Sequence, residues 1–73
     1  MNKPNLLIQI GAKIQSIRLK KGLSQVDLVG KIEGKIDTTN ISRIERGRVN
    51  SSILTLQRIA DALEVDIIDF FKP

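Results

Sequence analysis

The sequence predicts an all-α fold, a compact bundle of five short helices forming one domain over residues 1–73. Three observations carry this expectation. The two prolines stand at positions 4 and 73, so the interior is open to helix throughout. Aromatic residues make up 3% of the chain, and no β-branched run alternates with polar residues, which argues against strands. Three times an apolar residue precedes a Ser or Asp able to cap a helix, and a second apolar residue follows five positions after the first.

Leu6 or Leu7, Ile10, Ile14 and Ile17 recur at helical spacing and predict a first helix to about Lys21. Lys20 and Lys21 suit its negative end, and Gly22 can take the left-handed turn that stops it. Ser24 should cap the second helix, with Asp27 three residues on and Leu23 packing against Leu28. Asp37 should cap the third, with Ile36 packing against Ile41. A fourth runs from about Ile53 to Leu63, capped by Ser52 or Ser51, with Ile53, Leu56, Ile59, Ala60 and Leu63 as its buried stripe. Asp66, with Asp69 three residues on, should cap a fifth, in which Val65 reaches Phe70. No internal repeat, linker or low-complexity tract interrupts the series.

Composition removes several classes of function. The chain has no cysteine and no histidine, which excludes disulfides, thiolate or imidazole metal sites, and catalysis by either residue. The segment NLLIQI is too short to span a membrane and lacks the long apolar core of a signal peptide, so a cytoplasmic setting is expected. The net charge is +4 and unevenly placed: Lys13 to Arg58 holds ten Lys/Arg against four Asp/Glu, whereas the chain from Ile59 holds four acids against Lys72. A basic body with an acidic end suits a surface that meets phosphates.

The segment IDTTNISRIERG, Ile36 to Gly47, has helix signals but few residues to bury. With Ile41 at the centre of the inner side, Ile44 and Glu45 lie within about 60° of it, while Thr39, Arg43 and Arg46 point away, flanked by Asn40 and Ser42. A short helix, a turn around Glu33 to Ile36 with Gly34 free to take positive φ, and a second helix with a thin buried stripe form a helix-turn-helix pattern over about 24–46. Such a second helix must stand proud of the body to enter a major groove. Arg43 can bond the guanine edge, Asn40 the adenine edge, and Thr38, Thr39 and Ser42 can read beside them. By itself, a polar helix face is more often merely a solvated one.

The stretch LKKGLSQVDLVGKI and the later TTNISRIERGRVNSSILTLQRIADALEVDIIDFF resemble the lambda repressor/Cro-type (XRE-like) helix-turn-helix family, over roughly Ile10 to Phe71. The most specific pieces are GLSQ at 22–25, ISRIERG at 41–47 and TLQRIADALEV at 55–65. The resemblance implies a five-helix, lambda-repressor-like DNA-binding domain whose third helix reads double-stranded DNA. It places Thr38, Thr39, Ser42 and Arg43 at base-facing positions and Gln25 at the phosphate backbone or an outer base. It also puts Arg46 and Arg48 in the loop that grips phosphates. Lys20 and Lys35 are further phosphate candidates. It implies an ion pair between Arg18 and Glu45, which makes Glu45 architecture and not a catalytic acid. Between Leu28 and Ile41 the chain carries two more residues than the family pattern, so a longer turn is expected around KIEGKID.

Leu54 points opposite the stripe of the fourth helix beside Arg58 and Asp61, and Ile67, Ile68, Phe70 and Phe71 are more apolar side chains than one short helix can turn inward. A dimerisation region over about 52–71 is expected from these residues, placing two reading helices in successive major grooves of a palindrome. A domain of this size resembles the controller proteins of restriction–modification systems, including the apolar residue at 54; small phage repressors and antitoxins resemble it nearly as well. A bacterial or phage-encoded regulator without enzymatic activity, cofactor, metal or small-molecule ligand is therefore expected. The alternative is a protein-interaction module that keeps the same fold. GKIEGK at 30–35 has one residue too few for a phosphate-binding loop, and Ile36 stands where Ser or Thr is needed. NIS and NSS match glycosylation acceptors, which carry no meaning without export. The acids Asp61, Glu64, Asp66 and Asp69 read as caps and solvated charges.

Overall fold

Short polar side chains at the helix starts take up amide hydrogens that no carbonyl can reach. The computed structural model describes residues 3–72; Met1, Asn2 and Pro73 lie outside the described residues. The elements are α1 (Lys3–Lys20), α2 (Gln25–Lys31), α3 (Thr38–Glu45), α4 (Ile53–Leu63) and a C-terminal 3₁₀ segment (Ile67–Phe71). Ser24 Oγ accepts from the Asp27 amide and Asp27 Oδ2 accepts from the Ser24 amide, both at 2.9 Å, a reciprocal box that starts α2. Asp37 Oδ1 accepts from the Asn40 amide at 2.8 Å to start α3. Ser52, not Ser51, starts α4 by accepting from the Thr55 amide at 3.1 Å.

The helix ends are equally local. At α1 the Leu23 amide donates to the Arg18 carbonyl and the Gly22 amide to that of Leu19, with Gly22 at φ 72°. The end of α4 repeats this pattern, Val65 to Ala60 and Glu64 to Asp61, but the left-handed residue there is Glu64 at φ 60°.

Two expectations are corrected. The described residues hold four α-helices, not five: the last element is a five-residue 3₁₀ segment. Asp66 accepts from the Ile68 amide two residues on instead of the third, and the Asp69 amide bonds the Asp66 carbonyl. A run this short completes too few i→i−4 bonds to repay an α-helical nucleus, so the tighter turn wins. Ile53 does not belong to the buried stripe of α4; it is 69% exposed, because as the first residue of the helix it borders the open groove lined by Leu6 and Phe71.

The core gathers Ile10 and Ile14 of α1, Leu28 of α2, Ile41 and Ile44 of α3, Leu56, Ile59 and Leu63 of α4, and Phe70. Ile32, just after α2, closes it. α1 packs against α3 and the 3₁₀ segment, and α2 packs against α3 and α4. α3 is thus held from two sides and left open on the third.

Candidate nucleic-acid interface

α3 is anchored by little and held tightly. Ile41 and Ile44 are buried, with Ile36 half-buried ahead of them. Its C-terminal end lies against the backbone of α1. A Cβ on Gly11 would run into the Ile44 carbonyl oxygen and lie 2.6 Å from that of Glu45. A Cβ on Gly47 would lie 2.7 Å from the Ile8 backbone. Gly47 also takes φ 71°, so that its amide reaches the Ile44 carbonyl and the Arg48 amide reaches that of Arg43. This capped, glycine-lined contact fixes the pose of α3 with few apolar side chains.

The open face of α3 carries Thr39, Asn40 and Arg43, all exposed, with Thr38 and Ser42 half-buried beside them. Arg46 and Arg48 are exposed in the loop that follows, Lys35 in the turn before, and Lys20 at the end of α1. Thr39, Asn40 and Arg43, with donors and acceptors suited to base edges, thus stand in solvent.

Behind this face lies a buried ionic hub. Arg18 and Glu45 are 5% and 6% exposed. Arg18 Nε donates to Glu45 Oε2 at 2.6 Å and Nη2 to Oε1 at 3.0 Å, while Nη1 donates to the Leu23 carbonyl at 2.7 Å. The fork satisfies both charges, as burial requires. The hydrogen bond from Arg18 to Glu45 and the carboxylate's charge hold the guanidinium pKa above its ordinary value, against the opposing pull of burial. Gln25 joins the hub: its Nε2 donates to Glu45 Oε1 at 3.1 Å, and its side chain is half-buried. This third member is invisible to sequence reasoning, since no pattern of spacing pairs the first residue of α2 with the last of α3.

The turn from Ile32 to Asp37 takes positive φ at Gly34, 98°. Arg58 of α4 reaches across to it, with Nη1 3.2 Å from where a Gly34 Cβ would stand. Ile67 is only half-buried and packs against the core. Leu54, Ile68 and Phe71 are exposed, as are Ile53, Leu6 and Ile8. Leu6, Ile53 and Phe71 line one apolar groove between the starts of α1 and α4. No helix among the described residues is long and apolar enough to cross a membrane.

Comparison with known proteins agrees with this architecture. A family model described as Helix-turn-helix matches residues 14–70. The control protein C.BamHI of Bacillus amyloliquefaciens is 39% identical over 70 residues, covering 90% of this chain and 84% of that protein. Among solved structures, the restriction–modification controller C.AhdI from Aeromonas hydrophila superposes with a TM-score of 0.83 at 29% identity, over 89% of this chain and 96% of that one. The controller C.Esp1396I, solved as a tetramer with its natural 35 base-pair operator, superposes with a TM-score of 0.80 at 42% identity, over 90% and 84%.

Proposed function

Because the chain belongs to the helix-turn-helix family, we propose that it is a sequence-specific transcriptional regulator that binds a palindromic DNA operator as a homodimer, and that it controls a restriction–modification system. The observation that carries this reading is the open face of α3, where Thr39, Asn40 and Arg43 are exposed and Arg46 and Arg48 follow, also exposed. Its similarity to controllers of restriction–modification systems supports the finer assignment.

In this reading α3 enters the major groove. Arg43 donates to guanine, and Thr38, Thr39, Asn40 and Ser42 contact neighbouring edges. Gln25, Lys20, Lys35, Arg46 and Arg48 hold the phosphates on either side. Leu54, Ile68 and Phe71 join two copies, and Ile53 and Leu6, which line one groove with Phe71, extend the apolar surface. Arg58, exposed on α4 beside Gly34, and Ile67, half-buried against the core, complete the proposed dimer surface.

Selection of bound sites from random DNA should return a palindrome. Arg43→Ala should cost roughly 1–3 kcal/mol of specific binding at one position while fold and dimer persist. Lys20→Ala or Arg48→Ala should weaken binding to all sequences and lower the salt slope by about 0.9 for each phosphate left without its cation. A wild-type footprint from Arg43→Ala would remove it as the base reader. Tolerance of every α3 substitution, with intolerance around Leu54 and Phe71, would identify a protein-interaction module instead.

A further inference from the structure

We infer that Glu45 is a positioning residue for DNA binding, acting through the Gln25 amide; this rests on the operator-binding reading above. One carboxylate takes three donors from two elements: Nε and Nη2 of Arg18 in the last turn of α1, and Nε2 of Gln25 at the start of α2. Glu45 itself is the last residue of α3. The carboxylate thus ties the start of α2, where a phosphate contact belongs, to the helix that faces the bases.

The chemistry sets the orientation of Gln25. An ionised carboxylate only accepts hydrogen bonds, so the amide must turn its nitrogen towards Glu45. The flipped amide would set its carbonyl oxygen against a carboxylate oxygen. The nitrogen has two hydrogens and uses one on Glu45, leaving the other, with the carbonyl, for the solvent side. An unpinned glutamine would sample both orientations and several rotamers, and would lose that freedom on binding DNA. Here the freedom is already lost in the free protein. Arg18 in turn stops Glu45 from moving, through its two bonds to the carboxylate and its bond to the Leu23 carbonyl.

Operator affinity of Gln25→Met, a variant of similar length without the amide, should be measured at one salt concentration in two backgrounds. One is the wild-type chain; the other carries Arg18→Met and Glu45→Met, an apolar exchange of the kind that buried ion pairs often tolerate. In the wild-type background the loss should be about tenfold, the worth of one good hydrogen bond. In the apolar background it should be under about threefold, because an unpinned amide contributes less. Equal losses in the two backgrounds would overturn the inference, and so would wild-type affinity of Gln25→Met in the native chain. If the apolar pair does not fold, exchange of the Gln25 side-chain amide protons decides the matter in the unmodified protein, free and bound to operator. Protection well above that of the exposed Gln9 and Gln15 in both states supports positioning, and equal exchange refutes it. Failure of the wild-type protein to select any DNA site would instead strike at the operator-binding reading itself.

Discussion

Glu64 ends α4 in the left-handed conformation at φ 60°, where glycine is the usual occupant. That conformation costs a non-glycine residue roughly 1–2 kcal/mol, while glycine's extra freedom in the unfolded chain returns about 0.5–1 kcal/mol. Glu64→Gly should therefore stabilise the protein by about 0.5–1 kcal/mol, read as a higher urea midpoint at unchanged slope. Asp27 makes the opposite kind of contribution. Its bonds from the Ser24 backbone and side chain hold its pKa below the ordinary value. A depressed carboxylate stabilises the fold above its unfolded-state pKa and loses that effect as pH falls through the folded value. Acid titration of stability should show this loss below about pH 4, and Asp27→Asn should abolish that part of the slope. Ser24 and Asp27 are legible in the sequence as Ser-x-x-Asp, because a cap is a local event. The bond from Gln25 to Glu45 crosses 20 positions and leaves no local trace.

The starts at Ser24, Asp37 and Asp66 are readable because each needs only a cap and an apolar pair within six residues, whereas Ser52 caps α4 without such a pair and its neighbour Ser51 competes for the role in the sequence. What the spacing could not decide was the helix type after Asp66, which depends on how many i→i−4 bonds a five-residue run can complete. Nor could a wheel disclose that Ile53 is exposed, because periodicity reports a side and not what covers it. Gly11 was equally silent, since a glycine inside an amphipathic helix offers no apolar signal. Its reason is the α1–α3 crossing, where the two backbones touch. Gly11→Ala, favourable by helix propensity alone, should instead force α3 outward and destabilise the fold by about 1–3 kcal/mol, the usual cost of overpacking. Thermal unfolding decides the sign: a raised midpoint would mean that the crossing has slack.

At the scale of the whole molecule, one chain measures 34 × 21 × 19 Å, and α3, the proposed reading helix, has eight residues. Eight residues rise about 12 Å, the width of one major groove, so a single chain meets only a few base pairs. Specific regulation from so small a reader needs a second copy about 34 Å along the duplex. The surface proposed to join two copies holds the exposed Leu54, Ile68 and Phe71, together with Ile53 and Leu6, which line one groove with Phe71. Leu54 is 59% exposed in the single chain, so a charge there costs the monomer little and a two-fold interface much, because it is buried twice. Leu54→Asp should therefore sediment as a monomer at concentrations where the wild-type protein is a dimer, with its thermal midpoint as a monomer preserved. Its operator affinity should fall by about 100-fold or more, the usual gain of a linked second site, while weak binding to one half-site survives. A Leu54→Asp protein that remains dimeric and binds the full operator would move the interface elsewhere, to a surface without Leu54.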